Sequence, residues 1–190
     1  MAVIPDVITH NYDPARGCLR NLCDLPPKDA ERVLDDIRAS GKRSIKPSYL
    51  QRRLRTEAWL IEQRTGKLGY TPLARPVYFF LGDFSDGLDP SRPNSLVMPL
   101  AALPENVLTF TYPDSMASLP LATKEEHRPE RRPYHGQVFT LPEIIDVVER
   151  FGFSQADHTM NQFDRFIEVQ LWDLHPVQEW LGERRQAQSS

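Results

Sequence analysis

No run of about 18 apolar residues occurs anywhere in this chain, which excludes a membrane-spanning helix. Cysteine is scarce: Cys18 and Cys23 are the only two. They fall in CLRNLC, which reads as helical, and a five-residue offset on a helix puts them on different faces. That spacing suits neither a disulfide nor a CxxC metal knuckle, so both are expected to be small core or boundary residues. The five histidines (His10, His127, His135, His158 and His175) are scattered, without HExxH or a Cys partner, and no metal is expected. GxGxxG, GxxxxGK[ST] and GxSxG are missing too, which argues against Rossmann and P-loop nucleotide binding and against the α/β-hydrolases. Charge of one sign is not in excess. A net charge of -3 gives no overall pull toward nucleic acid or anionic lipid, so such a partner would need a local patch. The N-terminal MAVIPDVITH lacks the basic and long apolar regions of a signal peptide, and the expectation is a soluble cytoplasmic protein.

What is present suffices for one core. A chain of 190 residues, 40% hydrophobic and 26% charged, points to a single domain, taken here as residues 1–182 with a flexible tail at 183–190. Val7 to Asn11 reads as a strand that delivers His10 just before a turn, with Asp13 and Pro14 opening a helix. PPKDAERVLDDIRASG reads as a second helix stopped by Gly41. A longer one starts near Ser48 and ends by Gly66 or Gly69, its apolar stripe formed by Leu50, Leu54, Ala58 and Ile61.

The period then changes. Pro76 to Gly82 (PVYFFLG) is a continuous apolar run suited to a strand covered on both faces. GDFSDGLDPSRPN is a turn-rich connection, SLVMPLAAL an edge strand limited by Pro99, and Val107 to Tyr112 a further strand. KEEHRPERRP (124–133) is a charged, proline-interrupted solvated loop. QVFTLPEIIDVVERFGF is a short strand feeding a helix, with a capping box between Thr140 and Glu143 and a buried face of Ile144, Val147 and Val148. SQADHTMNQFD is a loop, RFIEVQLWD the last strand, and a short terminal helix with a frayed tail follows. Helices crowd the first third and strands dominate afterwards, which favours an α+β fold.

Three features bear on chemistry. Lys42 to Arg55 carries Lys42, Arg43, Lys46, Arg52, Arg53 and Arg55 with no acid among them, so it either meets phosphates of a nucleic acid or dinucleotide or forms a solvated helix face balanced by Glu57 and Glu62. With Tyr49 and Trp59 nearby for stacking, a nucleic acid is one possible partner. His10 either bonds a sugar hydroxyl or acts as an acid or base, or simply satisfies a turn. Glu168 alternates with Phe166 and Trp172 on one strand face, which looks either into water or into a cleft where aromatic surface desolvates the carboxylate.

The succession ITHNYDPARGCLRNL, VYFFLGD, SLVMPLAALPENVLTFTYPDSMAS and IEVQLWDLHPVQEWL resembles bacterial proteins of ADP-ribosyltransferase-like type and, more distantly, DNA-targeting ADP-ribosyltransferase toxins. The resemblance implies N-terminal helices packed on a mostly antiparallel split sheet that grips NAD in a cleft. It implies Glu168 as the catalytic carboxylate and His10 as the first-strand residue at the NAD ribose. A middle polar residue is also implied, with Tyr78, Thr111 and Ser115 as candidates, and Arg43, Lys46 or Arg52 at the pyrophosphate. No stretch reproduces the middle motif, so a non-catalytic binding or interaction protein stands as the alternative.

Overall fold

The computed structural model describes residues 4–85, 89–153 and 166–188. The strands are β1 (Val7–Tyr12), β2 (Val77–Leu81), β3 (Asn94–Pro99), β4 (Leu108–Thr111) and β5 (Glu168–Leu171). The helices are α1 (Pro27–Ala39), α2 (Tyr49–Leu68), α3 (Ser115–Thr123), α4 (Leu141–Phe151) and α5 (His175–Gln188). The fold is α+β. All five strands join one antiparallel sheet in the order β3-β1-β2-β5-β4. The strands from the two ends of the chain, β1 and β5, therefore both flank β2.

Register fixes which side chains share a face, because directly paired residues point the same way and neighbours along a strand point oppositely. Ile8, Val77, Phe79, Leu81, Met98, Leu108, Phe110, Val169 and Leu171 form the main core with Ile144 and Val148 of α4 and Val177 of α5. Each such fully buried aliphatic or aromatic side chain contributes about 1.5–3 kcal/mol of apolar burial. The opposite face carries Thr9, Tyr78, Phe80, Thr109, Thr111, Glu168 and Gln170. It packs beneath α2, where Leu60 is buried with Trp172 and Val138. A smaller cluster of Cys23, Ala30, Leu34, Ile45 and Leu50 ties α1 to the start of α2.

Several sequence expectations hold. α4 has the Thr140–Glu143 capping box and buries Ile144 and Val148. β3 is an edge strand ending at Pro99, whose missing N–H does no harm there. Others are corrected. The segment after Asp13 is not a helix but a turn, in which Gly17 N–H bonds Asp13 O at 3.1 Å and Gly17 takes φ 87°. CLRNLC is likewise not helical, because Leu19 sits at φ 59° and Asn21 caps a short turn at Leu22–Asp24. The 124–133 loop contains a 3-10 turn at Glu125–Glu130. The strand expected before α4 is a single bridge between Phe139 and Phe110. Residues 183–188 continue α5 instead of forming a tail. The SQADHTMNQFD loop lies outside the described residues.

Candidate functional site

Glu168 is the first residue of β5, paired with Phe80 on β2 and Thr111 on β4. It is 5% exposed. Its Oε1 accepts from Gln170 Nε2 at 3.1 Å and, more loosely, from Ser115 N–H at 3.4 Å. Gln170 also donates to Thr111 Oγ1 at 3.1 Å and accepts from Thr109 Oγ1 at 2.9 Å, while Trp172 Nε1 donates to Thr109 at 2.8 Å. The aromatic neighbours expected for Glu168 thus divide. Trp172 terminates this polar row, and Phe166 packs with Phe80 and Phe84 at ring separations near 5.3–5.4 Å. The strand face looks neither into water nor into an open cleft. It is a covered polar layer.

A second hub lies above it on α2. Glu57 is fully buried and collects four donors: Asn21 Nδ2 at 3.0 Å, Tyr78 Oη at 3.0 Å, Arg53 Nε at 3.3 Å and Arg75 Nη1 at 2.8 Å. Arg53 lies 3.7 Å over the Tyr78 ring. Burial works against its charge, but Tyr78, Glu168, Tyr49 and Glu57 outweigh that and raise its pKa. Burial raises the Tyr78 phenol well above its ordinary value, with Glu57 and Glu168 adding to the shift against Arg53. The nearby Cys23 thiol is pushed up to about 12 by burial and by Glu57, which makes it a poor nucleophile.

The layer reaches solvent at the start of α3. Asp114 caps that helix through Oδ1, which accepts from Met116 N–H at 3.0 Å and Ala117 N–H at 3.2 Å. Burial and the neighbouring Glu168 push its carboxyl up to about 6, opposed by Arg53 and by the two capped amides. Asp114 also lines a cavity of about 240 Å³ together with Arg52, Met116, Ala117, Pro120, Leu121 and His127.

The residues proposed from sequence therefore separate into two sets. Glu168, Tyr78, Thr111 and Ser115 gather on or against one face of the sheet. His10 points to the other, beside Phe79 at 5.2 Å between rings. Leu19 N–H donates to His10 Nε2 at 3.0 Å, so the ring hydrogen is on Nδ1 and is donated to Tyr78 O at 2.8 Å. With both nitrogens committed to the main chain, burial lowers the His10 pKa and keeps the ring neutral. This corrects His10 as partner of Glu168, because side chains one position apart on a strand cannot share a face. From β1, the Glu168 face receives Thr9 and Asn11 instead.

The basic segment divides as well. Arg43 pairs with Asp89 at 3.0 Å, Arg53 turns inward, and Lys42, Lys46, Arg52 and Arg55 are exposed. Glu57 does not balance a solvated face; only Glu62 is exposed. From sequence, Arg53 and Glu57 read only as parts of a basic segment and its balancing acids, and Asp114 and Gln170 carried no site role. The stripe of α2 offered a signal. Leu50, Leu54, Glu57, Ile61 and Arg64 continue the alternating offsets of four and three, and Glu57 is buried where Ala58 is exposed. Among the described residues, no group of three His, Cys, Asp or Glu side chains is placed to hold a metal ion, and no helix is long and apolar enough to cross a membrane. In comparisons with known proteins, no protein family, curated protein or solved structure matches the chain.

Proposed function

We propose that this protein is an ADP-ribosyltransferase-like enzyme that cleaves the nicotinamide–ribose bond of NAD, with Glu168 as the carboxylate that stabilises the developing charge. The observation that carries this reading is the assembly of Glu168, Tyr78, Thr111 and Ser115 around one end of β5, beside the Arg53 cation. Breaking the glycosidic bond builds oxocarbenium-like charge on the sugar, and a preorganised carboxylate in a site of low polarity stabilises it more strongly than water does. Gln170 and the Ser115 amide fix the Glu168 oxygen in advance.

The expected split of the sheet is not found among the described residues: all five strands form one sheet in which β1 and β5 both neighbour β2, although the β1–β2 register covers only Ile8 and Thr9. Beyond Thr9 the His10 imidazole bonds Tyr78 O where a ladder bond would otherwise run. His10 thereby serves as a wedge between strands, and its role at the ribose is withdrawn.

Replacing Glu168 by Gln should lower nicotinamide release from NAD by about 10²-fold or more while NAD binding persists. A variant as active as the wild type ends the assignment. A second reading, a non-catalytic binding protein that uses the exposed Lys42, Lys46, Arg52 and Arg55 against nucleic acid, is favoured by the burial of Glu168 and by its absence from the cavity lining. Stabilisation by oligonucleotide, with none by NAD, would select that alternative.

A further inference from the structure

We propose that Asp114 is the general base of this site, taking the proton from an acceptor hydroxyl held in the cavity between α2, α3 and the Glu125–Glu130 turn. This rests on the NAD-cleaving reading above. Glu168 does not line the cavity, whereas Asp114 does, together with Arg52, His127 and the apolar Met116, Ala117, Pro120 and Leu121. At about 240 Å³ the space is below the roughly 300–1,000 Å³ of pockets that enclose a whole small ligand, which suits a single acceptor group.

The two carboxylates are joined through consecutive residues. Asp114 supplies the cap of α3, and the next amide, Ser115 N–H, donates to Glu168. Ser115 Oγ, fully buried at this junction and outside the cavity lining, makes no hydrogen bond of its own, so the link between the two carboxylates keeps one unsatisfied polar group. Asp114 Oδ1 is held by the Met116 and Ala117 amides, which orients the carboxyl. Glu168 from β5, Arg53 and Arg52 from α2, and His127 from the Glu125–Glu130 turn are the charged or titratable groups around it.

In the step, the acceptor oxygen forms a bond to C1′ of the nicotinamide ribose as the C1′–N bond breaks. The bonding pair passes to the ring nitrogen, which leaves as neutral nicotinamide, and the acceptor proton passes to Asp114 and then to solvent. Nothing is oxidised or reduced. A carboxylate that ionises near pH 6 is matched to this task at neutral pH, where it is deprotonated yet retains basicity.

The test uses water as the acceptor and follows nicotinamide release from NAD between about pH 5 and pH 8. The wild-type rate should rise with a midpoint near pH 6. Asp114→Asn and Asp114→Ser should each lower the rate at neutral pH by about 10²-fold and remove that rise, and since Asn and Ser both cap helices, α3 should persist in both. Wild-type rate and profile in both variants, or a lower rate with the rise retained, overturns the assignment of Asp114 and leaves the NAD reading standing. No nicotinamide release from the wild type, together with no NAD-dependent rise in Tm, overturns both.

Discussion

Tyr78 donates its phenol to Glu57 Oε1 at 3.0 Å while its ring lies 3.7 Å beneath the Arg53 guanidinium. One side chain of the central strand β2 thus joins the polar layer of the sheet to the charged hub of α2. The helix cannot shift along the sheet without breaking an acid–phenol bond and a cation–ring contact together. Neither interaction is strong in water. Here the acid is fully buried and the Arg53 side chain is 12% exposed, so each works where solvent competes little.

Removing the hub acid should therefore be costly. Glu57→Ala leaves Arg53, Arg75, Asn21 and Tyr78 without their shared acceptor, and loss of one partner from a buried ion pair costs about 3–5 kcal/mol. Glu57→Gln should cost less, since one acceptor oxygen and the side-chain volume remain. Denaturant titration of the two variants measures this. If Glu57→Ala unfolds at the wild-type midpoint, the hub does not hold α2 in place.

His10 should make stability depend on pH, with a defined sign. Its folded pKa lies below the ordinary 6.5, so between those two values the unfolded chain binds more protons than the folded one. Stability is then fully present above pH 6.5 and declines as pH falls below it. His10→Phe keeps the ring contacts with Phe79 and Tyr12 but loses both main-chain bonds. It should cost about 2–4 kcal/mol at neutral pH and flatten the dependence below pH 6.5. An unaltered slope in the variant would place the sensitivity on another group.

The strands were legible because alternation and β-branching are local. Glu168, Val169, Gln170 and Leu171 state their faces in sequence, the unbroken apolar run of β2 states its burial on both, and the capping box of α4 is written in four consecutive residues. What was hidden depends on register and on chain reversal. Whether His10 faces Glu168 is decided by the parity of the Thr9–Phe80–Glu168 row, and a shift of one residue reverses it. The CLRNLC turn was misread because helix periodicity carries no mark of Leu19 at φ 59°, a conformation held by its bond to His10. Glu57 was misread because a charged residue on an apolar stripe is normally exposed, and three of its four donors, Asn21, Arg75 and Tyr78, come from outside its own helix.

α3, which presents Asp114 and Ser115, is held from behind by the 134–139 segment. Gly136 N–H donates to Ser118 Oγ at 2.9 Å, and Gly136 adopts φ 70°, a conformation that residues with a Cβ rarely take. A Cβ at this position would run into that of Ala122 on the last turn of the helix. Gly136→Ala should cost about 2–4 kcal/mol, combining backbone strain with overpacking. Gly41 separates the two components: at φ 66° it has nothing within 4 Å of the added atom, so Gly41→Ala should cost only the backbone part, about 1–2 kcal/mol. Placing Gly136→Ala in an Ala122→Gly background should bring its cost down to that same value, as measured by Tm in a double-mutant cycle. Equal costs at Gly136 and Gly41 in the wild-type background would mean that the 134–139 segment moves away from α3 freely, and that the helix carrying Asp114 is not braced there.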